Sequence, residues 1–431
     1  MADLHARPAR RPRPQRRARS AVAAAALVLA LSACGGGDSE AGGGATTDGD
    51  VTTLTWQMWA NSQIETDALN RLSEMVTEQH PDIRLELQTS SFADYWTKLT
   101  AQASGGDVAC LLGVQGPRVP LIADLLRPLP EDELQAAGID MADFNQEMAA
   151  SLQVDGTQVA VPYDLGPLVV FFNADAFEAA GVPLPEPGWT VEDFTAAAEA
   201  LQASGINAYG FFPSYDAFTA WSLTLTGQQA IGDDGELNLD TPEMIGVFET
   251  LQAMREQGLS PALPATNDGL ESLNQYMAGT TAMVVDGPWQ YGNIVQNAAF
   301  TPGVAPMPAG PDGSASHLAG SGYGVSSSCS APEEAVRALS VLTGPEALQH
   351  LGEIGRAYPA RTEQAASWYQ GELADAQPAL EYAIENSTYL RTNPQMNQLG
   401  QLFQQYGIPA FNGQQDAESF LQQIQSQVGG S

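Results

Sequence analysis

Lysine is almost missing from this chain of 431 residues, where Lys98 is the only one. Lysine and arginine together number 17 against 51 acidic residues, so the formal net charge is −34 at pH 7. Such a surface repels nucleic acid and anionic lipid, and the sequence has no basic cluster beyond its first 20 residues. We therefore expect neither a nucleic-acid partner nor electrostatic attachment to a membrane.

Histidine and cysteine are scarce as well, with four and three residues. Apart from His5, the histidines His80, His317 and His350 lie far apart and have no cysteine nearby, whereas zinc ligands recur at short spacings. The sequence also has no serine-nucleophile elbow and no phosphate-cradling loop of the Walker type. These absences predict no metal, no cofactor and no enzymatic activity.

Long hydrophobic runs are missing too. The run from Ala21 to Leu31 is far shorter than the roughly 20 residues that span a bilayer, and it follows seven arginines. A basic region, a short apolar region and small residues form a secretory signal, here residues 1–33. The exit Leu31-Ser32-Ala33-Cys34 resembles a bacterial lipobox, which implies cleavage before Cys34 and lipid attachment there. We expect anchoring at the outer face of the cytoplasmic membrane; an ordinary signal with a chance cysteine is the alternative, and the export route stays open.

The stretch after the signal contains no large apolar side chain. Residues 34–50 therefore predict a lipidated cysteine followed by a flexible tether, because they cannot bury enough surface to offset ordering. About 380 residues remain, which is too many for one core and suits two lobes.

Helix and strand patterns alternate along these residues, as in an α/β architecture with parallel sheets. Residues 54–58, 83–87 and 108–114 predict strands, and residues 62–79 and 92–104 predict helices. A helix after Thr190 has a full start signal, with Asp193 completing a capping box and Trp189 able to pack on Phe194. Thr343 and Glu346 show the same capping-box spacing.

Four segments of the sequence carry a family resemblance. In chain order they read LTWQMWANSQ, VAVPYDLGPLVVFFNADAFEAAGV, GTTAMVVDGPWQYGNI and LAGSGYGVSSSCSAPEEAVRALSVLTGPEA. Together they resemble family 1 of the bacterial extracellular solute-binding proteins, the maltose-binding type that serves ATP-driven (ABC) importers. The resemblance implies a two-lobed α/β fold of the periplasmic-binding-protein type, with three crossings and a ligand cleft between the lobes.

The resemblance also implies how the chain is divided and what it contacts. We expect residues 51–163 and 305–343 in lobe 1, and residues 164–304 and 344–431 in lobe 2. Candidate crossings lie at Pro162–Pro167, at Pro302–Pro308 and near Thr343. The implied partners are a small solute, expected to be a sugar, and the permease subunits of an importer, and the binding protein itself is expected to be a monomer.

A sugar presents hydroxyl groups and an apolar ring face, so its site needs flat aromatic platforms with carboxylate and amide groups. Such residues occur at turns after strands, where ligands of open α/β sheets bind. The expected ligand-binding residues are Trp59, Asn61, Gln115, Gly116, Tyr163, Asp164, Tyr215, Trp221, Asp286, Trp289, Tyr323 and Arg356. Trp289 matches the family's Gly-Pro-Trp position, which stacks on sugar in maltose-binding relatives.

Several of these residues have a structural alternative. Asp286 is equally suited to capping the next helix, and Tyr215 and Trp221 are equally suited to the core. Trp56 is expected in the core, and Trp96 and Trp368 are expected to pack within helical patterns.

Two further functions stay open at this point. The Asp-Arg pair of maltodextrin binders is replaced by Gln115-Gly116, which argues against maltose but not against carbohydrate in general. An acidic cleft with aromatic residues also suits a cation such as a polyamine, although Arg356 in the cleft would argue against it. A carbohydrate-active enzyme with Asp164 and Asp286 as acid and base is the remaining alternative.

The cysteine count predicts one disulfide bond. With Cys34 lipidated, Cys110 and Cys329 are the two thiols left in an exported, oxidising setting. The family resemblance places both in the first lobe, on neighbouring antiparallel strands and at similar depth, so we expect them to pair. The alternative is two free thiols on opposite faces of the sheet.

Overall fold

The computed structural model describes residues 44–264 and 270–429. The strands in these ranges are β1 Ala45–Asp48, β2 Val51–Trp59, β3 Ile83–Ser90, β4 Leu111–Gln115, β5 Gln153–Val154, β6 Thr157–Gln158, β7 Ala160–Pro167, β8 Val169–Asn173, β9 Asn207–Gly210, β10 Thr281–Asp286, β11 Pro302–Ala305, β12 Ala309–Gly310, β13 Gly313–Ser314, β14 Ser316–Val325 and β15 Ser387–Tyr389.

The helices of the described ranges are α1 Gln63–Gln79, α2 Phe92–Gly105, α3 Val119–Ile122, α4 Glu131–Ala136, α5 Gln146–Ser151, α6 Ala174–Ala180, α7 Val191–Ala203, α8 Tyr215–Thr226, α9 Pro242–Glu256, α10 Glu271–Met277, α11 Tyr291–Asn297, α12 Pro332–Leu342, α13 Pro345–Glu353, α14 Gln377–Glu385, α15 Met396–Phe411 and α16 Ala417–Gly429. Within those same residues, no helix is both long and apolar enough to cross a membrane.

A seven-stranded mixed sheet forms the first lobe. Its order is β1-β2-β4-β14-β15, with β3 beside β2 and β7 beside β14. The strands β2, β3 and β4 run parallel to one another, whereas β14 runs antiparallel to β4 and β7. Trp56 is fully buried here, as expected, and its ring meets Tyr323 edge to face at 5.3 Å. Parallel strands that are covered on both faces make this α/β sheet the centre of the first core.

A four-stranded sheet of order β11-β8-β10-β9 forms the second lobe. Its central strand β10 pairs antiparallel with β8 and parallel with β9. A second apolar core surrounds it, built mainly from aromatic and aliphatic side chains of α7, α8, α9, α15 and α16. The molecule therefore has the two-lobed, mixed α/β fold that the sequence predicted.

The chain passes between the two lobes three times. The passages lie at Leu168 between β7 and β8, between β11 and β14, and between β15 and α15, whose side chains belong to the second core. The first two passages lie beside the predicted crossings. Residue 343, by contrast, lies between α12 and α13, and side chains of both helices belong to the first core with those of α1. Since β15 also pairs with β14, the chain beyond residue 344 is shared between the lobes. The residue ranges predicted for the two lobes otherwise stay a prediction.

Residues 45–48 correct part of the predicted tether. They form β1, which pairs with β2 through a two-residue turn, Gly49-Asp50, with φ of 61° at Gly49. A glycine at the first turn position is typical of a tight hairpin. The prediction failed because it looked for apolar residues, whereas this threonine-rich strand is held by backbone pairing. Residues 1–43, including the signal and Cys34, lie outside the described residues.

The two predicted capping boxes turn out differently. Thr190 and Asp193 form a reciprocal capping box at α7, and Trp189 packs on Phe194 with ring centroids 5.7 Å apart. Thr343 does not cap α13: the cap residue is Gly344, and the Thr343 hydroxyl donates to the Leu339 carbonyl oxygen instead. Thr343 is the C-terminal cap residue of α12, so its hydroxyl bonds to the carbonyl four residues earlier in that helix and not to the start of α13.

Cys110 and Cys329 form a disulfide bond, with Cα atoms 4.6 Å apart. The predicted pairing is thus confirmed, but the expected geometry needs correction. The residue opposite Cys110 is Ser326, whose N–H donates to the Cys110 carbonyl oxygen. Cys329 reaches the same place through a turn after β14, in which its N–H donates to the Ser326 carbonyl oxygen. The bond therefore fastens the end of β14 to the start of β4 instead of joining opposed strand residues.

Candidate functional site

A cleft of about 530 Å³ lies where the two lobes meet, lined by side chains of both. Eight of the expected ligand-binding residues line it: Trp59, Asn61, Gln115, Asp164, Tyr215, Asp286, Trp289 and Arg356. They come from the ends of β2, β4 and β10, from β7 and α8, and from the segment after α13. As in other open α/β sheets, strand ends deliver polar side chains to one crevice.

Four expected residues do not line this cleft. Gly116 packs against Ser151, and a Cβ at residue 116 would lie 2.6 Å from its hydroxyl. Tyr163 and Tyr323 are buried and stack on each other with centroids 4.5 Å apart. Trp221 is fully buried in the second core, where its indole N–H donates to the Tyr209 hydroxyl. These residues lie in the packing of their own lobes and not on the cleft surface, because each already has a partner there.

The turn after β10 builds the second-lobe side of the cleft. The ring of Trp289 is partly exposed and folds back over Gly287, where a Cβ would lie 2.1 Å from it. Only glycine at position 287 leaves room for this ring position. Asp286 accepts hydrogen bonds from the Gly287 N–H and from the Trp289 side chain. Asp286 therefore orients Trp289 instead of capping a helix.

Burial raises the pKa of Asp286 to about 7, and its hydrogen bonds with Gly287 and Trp289 only partly oppose this rise. Asp164 behaves similarly: burial raises its pKa to about 6, against the lowering effect of the Arg356 guanidinium and Ser321. One oxygen of Asp164, Oδ1, is buried without a hydrogen-bond partner in the described part of the chain. Buried polar atoms are normally paired, so this oxygen is suited to accept a hydrogen bond from a ligand.

Arg356 lies deep in the cleft and pairs with Glu65, with 3.2 Å between Nη2 and Oε1. The other oxygen of Glu65 accepts from the Asn61 N–H at 2.5 Å, so both groups are held in place. The Arg356 Nε–H is buried and has no partner within the described residues. The buried cleft atoms that lack a partner within the described residues therefore include a donor, the Arg356 Nε–H, and an acceptor, the Asp164 Oδ1.

An aromatic group from β2 and α2 builds the first-lobe side. Trp59, Phe92, Tyr95 and Trp96 pack edge to face or tilted, with neighbouring centroids 4.8–5.8 Å apart. The guanidinium of Arg118 lies 4.5 Å above the Trp96 ring and 5.1 Å above the Phe92 ring. Trp96 is about 6% exposed and packs into the first core, as expected, and it also borders the cleft.

Sequence reasoning missed other cleft residues, among them Glu65, Arg118, Asp216 and His317. Asp216 and His317 face each other with 3.8 Å between Oδ1 and Nε2, and burial lowers the pKa of His317. Arg118 had a usable signal, because an isolated cation three residues past a buried strand stands out in so acidic a chain. Glu65 had none, since it reads as an ordinary first-turn acid of α1.

Comparisons with solved structures identify the same two-lobed fold. An ABC substrate-binding protein of Listeria monocytogenes, solved with cycloalternan, has a TM-score of 0.79 at 21% identity, covering 88% of this chain and 98% of that one. The GacH receptor of Streptomyces glaucescens, solved unliganded and with acarbose, has a TM-score of 0.76 at 19% identity, covering 87% and 98%.

Sequence comparison gives shorter matches. The sn-glycerol-3-phosphate-binding periplasmic protein UgpB of Shigella flexneri is 25% identical over 249 residues, which is 54% of this chain and 52% of that protein. The chain thus spans about half the length of this curated relative. The family model described as bacterial extracellular solute-binding protein matches residues 71–380, well over half of the chain. Together with the fold, this match shows that the chain belongs to the bacterial extracellular solute-binding proteins.

Proposed function

We propose that this protein captures a sugar in the cleft and delivers it to the membrane permease of an ABC importer. The observation that carries the proposal is the turn after β10, where a partly exposed Trp289 ring lies beside the carboxylate of Asp286. An aromatic face stacks on the C–H face of a sugar ring, and a neighbouring carboxylate accepts hydrogen bonds from its hydroxyl groups.

The opposite wall of the cleft supports the same ligand class. A hydroxyl group both donates and accepts, so it can satisfy the unmatched Asp164 Oδ1 and the unmatched Arg356 Nε–H. The cleft volume of about 530 Å³ falls within the usual range for small-molecule sites. Two solved proteins of this fold bind the carbohydrates cycloalternan and acarbose, which is consistent with a sugar.

Arg356 disfavours the polyamine alternative. It lines the cleft and is almost fully buried, so a cationic ligand would approach a second cation there. Its charge is balanced by Glu65 at 3.2 Å from Nη2, so this buried pair offers an incoming cation no net negative charge. An acidic surface can still attract cations to the protein, but the floor of the cleft suits a neutral polar ligand better.

A thermal-shift screen tests the proposal, followed by calorimetry on each hit. The panel contains mono- and oligosaccharides, with sn-glycerol 3-phosphate and putrescine as anionic and cationic comparisons. A ligand at a hundredfold excess over its Kd stabilises the folded state by about 2.7 kcal/mol. A shift with sugars alone supports the proposal, whereas a shift only with the phosphate or the amine contradicts it. A reducing-end assay with each sugar hit checks for hydrolysis.

We further propose that Cys34 carries the lipid anchor on the outer face of the cytoplasmic membrane. The support is the signal pattern that ends at Leu31-Ser32-Ala33-Cys34. Cys34→Ala is expected to release a folded, soluble protein. A variant that stays in the membrane fraction after a salt wash would contradict the anchor.

A further inference from the structure

A direct hydrogen bond between two side chains crosses the cleft and joins the two lobes. The Arg118 Nε–H donates to the Asn397 Oδ1 at 2.9 Å. Arg118 ends the short turn after β4 in the first lobe, whereas Asn397 lies in the first turn of α15. The neighbouring Met396 and Leu399 are buried in the second core, so Asn397 moves with the second lobe.

The guanidinium of Arg118 is held firmly on the first-lobe side. Its Nη1 donates to the Gln115 side-chain oxygen, and its plane lies over the Trp96 and Phe92 rings. Burial lowers the pKa of Arg118 to about 10, against the opposing effect of Asp216, so the group stays charged at neutral pH. A planar, charged group that is stacked on rings and bonded at two edges is preorganised, which reduces the entropy lost in each bond.

The same position has a second consequence for the ring faces of the first lobe. A guanidinium 4.5 Å above the Trp96 ring occupies the place where a flat ligand would otherwise stack. The Trp289 ring, across the cleft, is partly exposed and lies close over Gly287, with no cation–π contact among the described residues of the kind that covers Trp96. Stacking is therefore available on the second lobe and blocked on the first.

We propose that Arg118 determines specificity in this cleft by covering the first-lobe ring faces and by clasping Asn397 when the lobes are closed. The consequence for the ligand, one stacked ring on Trp289 and hydrogen bonds from the Arg118 edge, rests on the proposed sugar-binding function. The clasp and the ring cover themselves do not depend on which ligand binds. Both are therefore tested on ligand-free protein.

Small-angle X-ray scattering of the ligand-free full-length chain measures the clasp. Asn397→Ala removes the acceptor, and Arg118→Lys keeps the charge but loses the planar donor edge. Each is expected to lower the ratio of closed to open molecules about tenfold, since hydrogen bonds to charged groups contribute at least that much. Gln398→Ala is the matched control, because its amide lies next in sequence but bonds to Gln427 on α16. The double variant of Arg118 and Asn397 should open no further than either single one.

Acrylamide quenching of tryptophan fluorescence measures the ring cover. Arg118→Ala is expected to increase quenching relative to wild type, and the increase should disappear in a Trp96→Phe background. Circular dichroism confirms that each variant is folded. Wild-type scattering in both clasp variants, or unchanged quenching in Arg118→Ala, would overturn the proposal. If the clasp and the cover are found but no sugar binds, the proposed ligand is wrong and this inference stands.

Discussion

The two lobes bring aromatic groups to the same cleft, but they use them differently. In the first lobe, Trp59 and Trp96 are each about 6% exposed and pack against neighbouring rings. The Arg118 guanidinium lies over the rings of Trp96 and Phe92. In the second lobe, Trp289 is partly exposed and rests on a glycine. The comparison shows that the open ring face, and not the number of aromatic residues near a cleft, decides where a ligand can stack.

The lobes also differ in how they are held together. The first has a disulfide bond between Cys110 and Cys329, which closes a loop of 219 residues in sequence separation. Within the described residues the second lobe has no cysteine, and its core relies on aromatic contacts such as that between Phe248 and Phe420, 4.6 Å apart. The first lobe therefore combines packing with a covalent constraint, and the second depends on packing alone.

Removing the disulfide should produce the largest effect. Replacing Cys110 and Cys329 together by alanine is expected to lower the free energy of unfolding by about 2–5 kcal/mol, because the unfolded chain regains the freedom lost to a long closed loop. Urea unfolding followed by circular dichroism measures the change, and wild type with added reductant is the control. An unchanged midpoint in the double variant would contradict the constraint.

The open ring face should matter next. Trp289→Ala is expected to weaken sugar binding by about 1–3 kcal/mol while the protein stays folded, because the stacking platform is lost. Gly287→Ala should weaken binding too, since its Cβ would collide with the Trp289 ring. Calorimetry with the sugar found in the screen measures both variants.

A matched control for Trp289 lies deeper in the same lobe. Trp221→Phe alters a ring that is fully buried behind the cleft, so it should lower stability and leave the affinity near that of wild type. Equal affinity losses in the Trp221 and Trp289 variants would mean that both act through lobe stability. That result would remove the distinction between the open ring and the buried one.

The carboxylates of the cleft predict a pH dependence of stability. Because the pKa values of Asp164 and Asp286 are raised in the folded state, the stability they contribute is complete below pH 4 and is lost as the pH rises through about 6 and about 7. Asp286→Asn should remove part of this loss. Between pH 5 and pH 8 the variant should gain about 1 kcal/mol or more relative to wild type, since one pKa unit corresponds to about 1.4 kcal/mol.

Thermal melting across this pH range measures the effect. Surface carboxylates act in a separate window: the Arg337 ion pair lowers the pKa of Asp82, and this contribution is lost only as the pH falls towards that lowered value. Asp82→Asn therefore serves as the control, because its stability profile should run parallel to that of wild type between pH 5 and pH 8. Parallel pH profiles of wild type and Asp286→Asn would contradict the assignment for the cleft.

The fold and part of the cleft were predictable from the sequence, because strand ends and local caps leave local patterns. Trp289 follows the apolar strand β10, and its position in the cleft follows from the way strands deliver their ends. Asp164 lies within β7, beside the first predicted crossing. Arg118 and Glu65 were missed because their role depends on partners far away in sequence, Asn397 and Arg356. Tyr323 and Trp221 were wrongly placed in the cleft. The local sequence of Tyr323, between two glycines, and of Trp221, on a helix, does not distinguish a ring that faces a cleft from one that faces a core.

The smallest predicted effect concerns two threonines with the same capping-box spacing. Thr190 accepts from the Asp193 N–H at 3.1 Å and Asp193 bonds back to the Thr190 N–H, whereas Thr343 makes no such cap. Thr190→Ala should therefore cost about 1 kcal/mol of stability in the second lobe, and Thr190→Ser should restore most of it. Thr343→Ala loses only a hydroxyl bonded to the Leu339 carbonyl oxygen, so its cost should be smaller. Urea midpoints of the three variants decide the matter: equal costs for the two alanine variants would mean that the observed cap adds nothing beyond the threonine side chain itself.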